Sequence, residues 1–386
     1  MSYKVSMKTI PVSWPSITNK ELNALKKVME EGWLGLGSYV EKFESDLAKF
    51  LKLKKNLVCC VSTGSDALVM SLILANVKPG DEVILPSLNF VASAQAIKLL
   101  GAHPVFCDVE EDTLCLDINK LKKLISSKTK AIISVDYSGN IANYEKINKI
   151  KKIKKKKIRI IQDAAHSFAS SFKGKKIGST GDIVMFSFDP IKTITCIDGG
   201  AIIVRDFKEL KKLKAMRQLG FEIQPNVAFN NQKGKMISDV KSIGLQNRMS
   251  NVHAAVGIQQ LKKIREIVKK KTQLALNYNK FFENNNYVIT PRSNFKNVIP
   301  FIYYIRVKSK FRDKLRNYLK KNHINTGLHW TPNHLHSFFK KCKKGELNIT
   351  NKVTKELISL PYYCDLSKKK QGVVVKKINE FFSKIN

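Results

Sequence analysis

The chain has 386 residues, enough to bury a large core, and a formal net charge of +38. No apolar run approaches the roughly 18 residues that a membrane-spanning helix needs, and Met1-Ser2-Tyr3-Lys4 opens no signal-peptide hydrophobic region. The cysteines, odd in number and without C-x-x-C spacing, sit mostly in apolar runs such as Val58-Cys59-Cys60-Val61, so reduced thiols in a cytoplasmic protein explain them better than disulfides or zinc. The charge admits two explanations. Basic surfaces condense on nucleic acid. Here, however, lysine, isoleucine and asparagine are all abundant, as AT-rich codons would make them. The lysines are spread over almost every expected helix, and no nucleic-acid-reading motif accompanies them. A compositional origin is preferred, and the positive field would still favour an anionic substrate.

Thr18-Asn19-Lys20-Glu21 is a capping box, opening a helix that should stop at Gly32. Ser38-Tyr39-Val40-Glu41 reads as a second box, opening a helix through about Leu51. Between them, residues 32–37 are expected to form a flexible link around a buried Trp33. Residues 56–61 read as a buried strand, followed by Ser62-Thr63-Gly64-Ser65-Asp66-Ala67-Leu68 and an apolar helix. Free N–H groups at such a helix start form an anion site, although the same segment alone equally describes an ordinary helix cap. A turn at residues 78–82 leads into a strand at 83–85, and residues 86–93 open another helix. Further strands are expected at His103–Cys107, 131–135 and 159–162, and the lysine run at 154–157 is simplest as a solvated loop. Strands and helices alternating with short connections imply a mostly parallel sheet covered on both faces. Ligands of such sheets bind beyond the carboxyl ends of the strands.

Two residues form a pair with chemistry. Ile160-Ile161-Gln162-Asp163 is an apolar strand ending in an acid. Downstream, Lys192 lies between the aromatic strand Met185-Phe186-Ser187-Phe188 and the double glycine Gly199-Gly200, among apolar or small neighbours with no acid immediately beside it. Desolvation lowers the pKa of such a lysine and makes it a nucleophile able to form a Schiff base with a carbonyl. Lysine plus strand-end aspartate is the pair that pyridoxal 5'-phosphate requires, one for its aldehyde and one for its ring nitrogen.

From Ile10-Pro11-Val12-Ser13 to Leu360-Pro361 the chain resembles the DegT/DnrJ-type PLP-dependent nucleotide-sugar aminotransferases, which have the aspartate-aminotransferase type I fold. The resemblance implies an α/β chain with a large PLP-binding domain over residues 1–268, built on a mostly parallel seven-stranded sheet, and a smaller C-terminal α/β domain over residues 269–386. It makes Lys192 and Asp163 the catalytic pair. It also places Gly64 and Ser65, from S-x-G-[ST]-x-A-L, and Ser187 on the cofactor phosphate. Phe90 would stack on the cofactor ring, where without the family a core phenylalanine would be the plainer explanation. Ala165 would lie under that ring and His166 near its phenolic oxygen, and residues 32–37 would border the site.

Gly244-Leu245-Gln246-Asn247-Arg248-Met249 resembles the family's G-x-N-x-R-[ML] segment, whose polar residue reaches the phosphate of the neighbouring subunit in a homodimer. Gln246 or Asn247 could serve. Three histidines at residues 329–336 fit no common zinc spacing. They resemble instead the H-[YW]-x-P-x-H stretch on the sugar side of the pocket, which makes His329 a substrate-site candidate. One position departs from the family: Ile197 stands where a glycine is usual. The implied reaction moves an amino group from glutamate to a keto-sugar carried on a nucleoside diphosphate, for aminodeoxysugar and polysaccharide biosynthesis. A PLP-dependent sugar dehydratase is one alternative, but that branch carries histidine in place of the Schiff-base lysine. A regulatory or nucleic-acid-binding protein on this fold is the other, supported only by the charge.

Overall fold

In the computed structural model, which describes residues 9–153, 158–221 and 239–384, a seven-stranded sheet organises the larger part of the chain. Its strands are β1 (Val58–Val61), β2 (Glu82–Pro86), β3 (His103–Cys107), β4 (Thr129–Val135), β5 (Arg159–Asp163), β8 (Ile183–Ser187) and β9 (Gly200–Ile203). A two-stranded hairpin, β6 (Ser171–Phe172) with β7 (Lys175–Lys176), lies between β5 and β8 in sequence. The spatial order is β1-β9-β8-β5-β4-β2-β3. Only β9 runs against its neighbours, so the carboxyl ends of the other six strands share one edge. Along β8, Ile183 and Met185 enter the core on one face, and Val184 and Phe186 enter the core on the other. That two-sided burial is why these strands read as continuous apolar runs. The lysine run at 154–157 lies outside the described residues.

Helix α1 (Asn19–Glu31) follows the sequence closely. Thr18 and Glu21 form the reciprocal capping box, and Gly32 ends the helix in the left-handed region at φ 77°. Helix α2 (Ser38–Phe50) forms as expected, but its expected capping box does not. Ser38 is already helical, and the cap position belongs to Gly37, which has no side chain to accept from the free helix N–H groups. A Cβ on Gly37 would lie 2.8 Å from Trp33 Cδ1 and from Asn251 Nδ2, so close packing reserves the position for glycine. Asn251 Oδ1 stands in for the missing cap, accepting from Val40 N at 3.4 Å. Trp33 is not buried. It is 52% exposed, with its indole N–H donating to Leu36 O at 2.9 Å.

The smaller part is built on the antiparallel pair β10 (Tyr303–Arg306) and β11 (Leu357–Leu360), covered by the helices Ser309–Lys321 and Lys368–Ser383. The helix Ile264–Phe281 serves both parts. Ile264 and Ile267 pack into a core of the large sheet, whereas Leu274, Ala275 and Tyr278 pack into the core of the small one. The division expected after residue 268 falls inside this helix, and we propose it as a change of core along one element. Among the described residues no helix is long and apolar enough to cross a membrane.

One buried ion pair ties the outer strand to its covering helices. Arg217 Nη1 donates to Glu44 Oε1 at 2.5 Å and to Cys60 O at 2.9 Å, and the same Glu44 oxygen accepts from Cys60 N at 2.9 Å. Both side chains are 1% exposed. Without Arg217, the buried Glu44 carboxylate would keep only the longer contact to Lys214 Nζ, at 3.6 Å from Oε2, and would lose most of its compensation. We predict that Arg217→Met lowers the unfolding free energy by about 3–5 kcal/mol in denaturant titration.

Candidate active site

At the shared carboxyl edge of the sheet lies a cleft of about 580 Å³. Three strand ends and the loops after them supply most of its polar groups. The first is the start of helix α3 (Gly64–Leu74), where Thr63 Oγ1 caps the helix by accepting from Asp66 N at 3.0 Å. Asp66 is turned back from the cleft and accepts from Ser62 Oγ and Thr63 Oγ1 at 2.6 and 2.7 Å. The N–H groups of Gly64 and Ser65 have no helical carbonyl behind them and form an anion-binding start. Opposite stands Ser187 at the end of β8. A Cβ on Gly64 would meet Ser187 Cβ at 2.7 Å and Oγ at 2.8 Å, so the cradle closes only around glycine.

The second strand end presents Asp163. Burial raises its carboxyl pKa above the usual carboxylate range, opposed by Ala165 N on Oδ1 at 3.2 Å, by the Lys192 ammonium and by Ser93 Oγ on Oδ2 at 3.1 Å. Ser93 in turn accepts from Asn89 Nδ2 at 2.8 Å. His166, three residues on, is buried and stacks on Phe301 with ring centroids 4.5 Å apart. Burial, then Lys192 and His329, hold its pKa well below the usual imidazole value, so it is neutral, and among the described residues its Nδ1 has no hydrogen-bond partner.

The third group is the loop after β8. Asp189 folds it into a turn, its carbonyl accepting from Lys192 N at 3.0 Å and its Oδ1 from Ile191 N at 3.1 Å. Burial pushes the Lys192 amine down to about 8, against the opposite pull of Asp163 and Asp189. Its Nζ lies 4.1 Å from the Phe301 ring centroid. The loop therefore delivers a largely desolvated amine beside a carboxylate, which is the electrostatic setting of a reactive lysine.

Gly64, Ser65, Phe90, Asp163, His166, Ser187 and Lys192 thus line one cleft, with Ala165. Phe90 is on its rim, half exposed and 5.0 Å from the Trp330 ring. His329 does not line the cleft. Its Nδ1 lies 2.7 Å from Ser359 Oγ, and burial followed by Lys192 lowers its pKa to about 4, while the adjacent Trp330 reaches the wall. Gln246 and Asn247 are not in the cleft either. Gln246 is exposed, and the Asn247 backbone binds Ser62 N at 3.0 Å and Arg217 O at 3.2 Å beside the end of β1. Sequence reasoning missed Ser93, Asp189, Trp330 and Phe301. Ser93 and Asp189 sat inside segments already singled out, whereas nothing local marks Phe301, which comes from the smaller part of the chain.

The family model of the DegT/DnrJ/EryC1/StrS aminotransferase family matches residues 15–379. The chain belongs to this family. GDP-perosamine synthase of Escherichia coli O157:H7 is 32% identical over 381 residues, covering 98% of this chain and 100% of the relative. Among solved structures, the aminotransferase TlmJ from Streptoalloteichus hindustanus superposes with a TM-score of 0.90 at 27% identity, over 98% of this chain and 100% of that one. Helicobacter pylori PseC, an aminotransferase involved in pseudoaminic acid biosynthesis, gives 0.89 at 26% identity over 97% and 100%.

Ile197 occupies a strained backbone position in the loop after Lys192. It sits at φ 71°, 44% exposed, with its N–H on Thr195 Oγ1 at 2.9 Å. A β-branched residue in the left-handed region is strained by about 1–3 kcal/mol, and glycine there would return part of that gain as unfolded-chain entropy. We predict that Ile197→Gly stabilises the protein by about 1 kcal/mol, seen as a higher denaturant midpoint at unchanged slope.

Proposed function

We propose that the chain is a pyridoxal 5'-phosphate-dependent aminotransferase that moves an amino group from glutamate to a keto-sugar carried on a nucleoside diphosphate, acting in the cytoplasm. The observation that carries it is the convergence of Asp163 and the depressed Lys192 amine in one cleft with a glycine-restricted anion cradle. The residues fit that cofactor on two counts of their own. Close packing of Gly64 on Ser187 sets the Ser187 hydroxyl beside the free N–H groups of the helix start, a donor set suited to a phosphate, and buried His166 Nδ1 lacks a partner among the described residues. When bound, the cofactor supplies an electron sink for charge developing at the amino-bearing carbon.

Each protein group then has a physical task. The Gly64 and Ser65 N–H groups and the Ser187 hydroxyl would hold the phosphate. Asp163 would keep a proton on the ring nitrogen, since a carboxylate beside a cation favours both charged forms. His166 would serve the phenolic oxygen, and Phe90 would stack on the ring. Lys192, with a pKa near the working pH, takes and returns the proton at the amino-bearing carbon as general base and acid. Trp330 and His329 lie on the sugar side. Gln246 or Asn247 completes the site of a second subunit in a homodimer, in keeping with the exposed apolar Val240, Ile243 and Leu245 alongside them.

The test is incubation of cofactor-loaded protein with glutamate and a panel of nucleotide keto-sugars, read by mass spectrometry for replacement of a carbonyl oxygen by an amine. Asp163→Asn should still bind the cofactor yet transaminate roughly 10- to 100-fold more slowly, as loss of a hydrogen bond to a charged group implies. Near wild-type turnover in that variant would contradict the role of Asp163. No aminated product from any member of the panel would remove the proposed substrate class.

A further inference from the structure

A second lysine is buried behind the Lys192 loop with no acid for a partner among the described residues. Lys271, on the helix Ile264–Phe281, is 4% exposed. Its amine lies 3.4 Å from Pro300 O and 3.3 Å from Phe301 O, and its Nζ is 4.5 Å from the centroid of the Tyr362 ring. The Tyr362 hydroxyl returns a hydrogen bond to Lys271 O at 2.7 Å. Burial pushes the Lys271 amine down to about 8, and among the described residues the only group opposing that shift is Cys364, whose own thiol is held above its usual value by burial. A small void joins Lys271, Tyr362 and Cys364 to residues 190–193, so this lysine lies one layer behind the reactive one.

A buried ammonium without a carboxylate must find its acceptors elsewhere. Here they are the carbonyls of Pro300 and Phe301, and Phe301 is the residue on which the site leans. One face of its ring lies 4.1 Å from Lys192 Nζ, and the ring stacks at 4.5 Å on His166. Local motifs do not connect these residues, because Lys192 and His166 come from the large sheet and Phe301 from the smaller part.

We propose that Lys271 is a positioning residue whose amine pins the Pro300–Phe301 peptide and so seats the Phe301 ring against Lys192 and His166, keeping the Lys192 amine out of water. The proposal deepens the assignment of Lys192 as the reacting amine, but its geometry requires no cofactor. Loosening the ring has two opposed effects on Lys192. Loss of the cation–π contact would lower its pKa slightly, and readmitted water would raise it. Water dominates, because burial is the leading cause of the depression.

The experiment is competitive labelling of the full-length, cofactor-free chain with acetic anhydride across pH, with Lys192 reactivity read by peptide mass spectrometry. Wild type should show a midpoint near pH 8. Lys271→Met and Phe301→Leu should each move the midpoint up by about one unit, which slows labelling at pH 8 by roughly fivefold. The double variant should move it no further, since both changes act on one ring. Lys271→Gln, whose amide stops one bond short of the carbonyls, should shift the midpoint the same way, and it decides the matter should Lys271→Met not fold. A wild-type midpoint in the Lys271 variants, or additive shifts in the double variant, would overturn the proposal. Failure of the chain to bind pyridoxal 5'-phosphate would instead remove the functional assignment and leave this labelling result intact.

Discussion

Everything in the cleft depends on keeping one amine out of water. An exposed lysine near pKa 10.5 is almost entirely protonated at neutral pH, whereas one lowered to about 8 is neutral in about a tenth of molecules at pH 7. Burial of Lys192 produces that fraction, and Asp163 and Asp189 limit it. The balance is architectural. Strands β5 and β8 pair in parallel with Asp163 opposite Met185, so the strand-end acid and the lysine loop emerge from the same edge of the sheet. A change of register there would separate the carboxylate from the amine and remove both the electrostatic coupling and the reactive site.

Around that pair the molecule accepts locally unfavourable features. Ile197 occupies the left-handed region, and among the described residues buried Lys271 has no acid beside it and His166 keeps an unpartnered nitrogen in the interior. Such features persist when surrounding structure over-determines them, and their concentration beside one cleft is the pattern expected of a preorganised site. The overall charge acts at longer range. Among the described residues, the acids lining the cleft, Asp163, Asp189 and Asp198, outnumber its one lysine, so any attraction for an anionic substrate comes from the lysine-rich surface beyond it.

Much of this was legible in the sequence where the controlling interactions are local. The Thr18–Glu21 box closes within one helical turn, and the apolar strands declare themselves because each is buried on both faces. Asp163, Lys192 and the Gly64 turn could be named because their motifs are contiguous. What failed depended on distant partners. The start of helix α2 is set by Trp33 packing on Gly37 and by Asn251, 211 residues from the amide it serves, so Ser38 lost the cap position that its residue type favours. Trp33 has the size of a core residue, yet it lies over a glycine at the surface. Phe301 enters the site from the smaller part of the chain with no local signal, and Trp330 was marked only through the stretch that named its neighbour His329. Gln246 and Asn247 do not line the cleft of their own chain.

The central claim is that Lys192 is the amine that bonds the cofactor. Incubation with pyridoxal 5'-phosphate, reduction with borohydride and peptide mapping test it most directly. A phosphopyridoxyl group on the peptide containing Lys192, in about one equivalent per chain, is the expected result. A group found on Lys271 or any other lysine, or no incorporation at all, would contradict it.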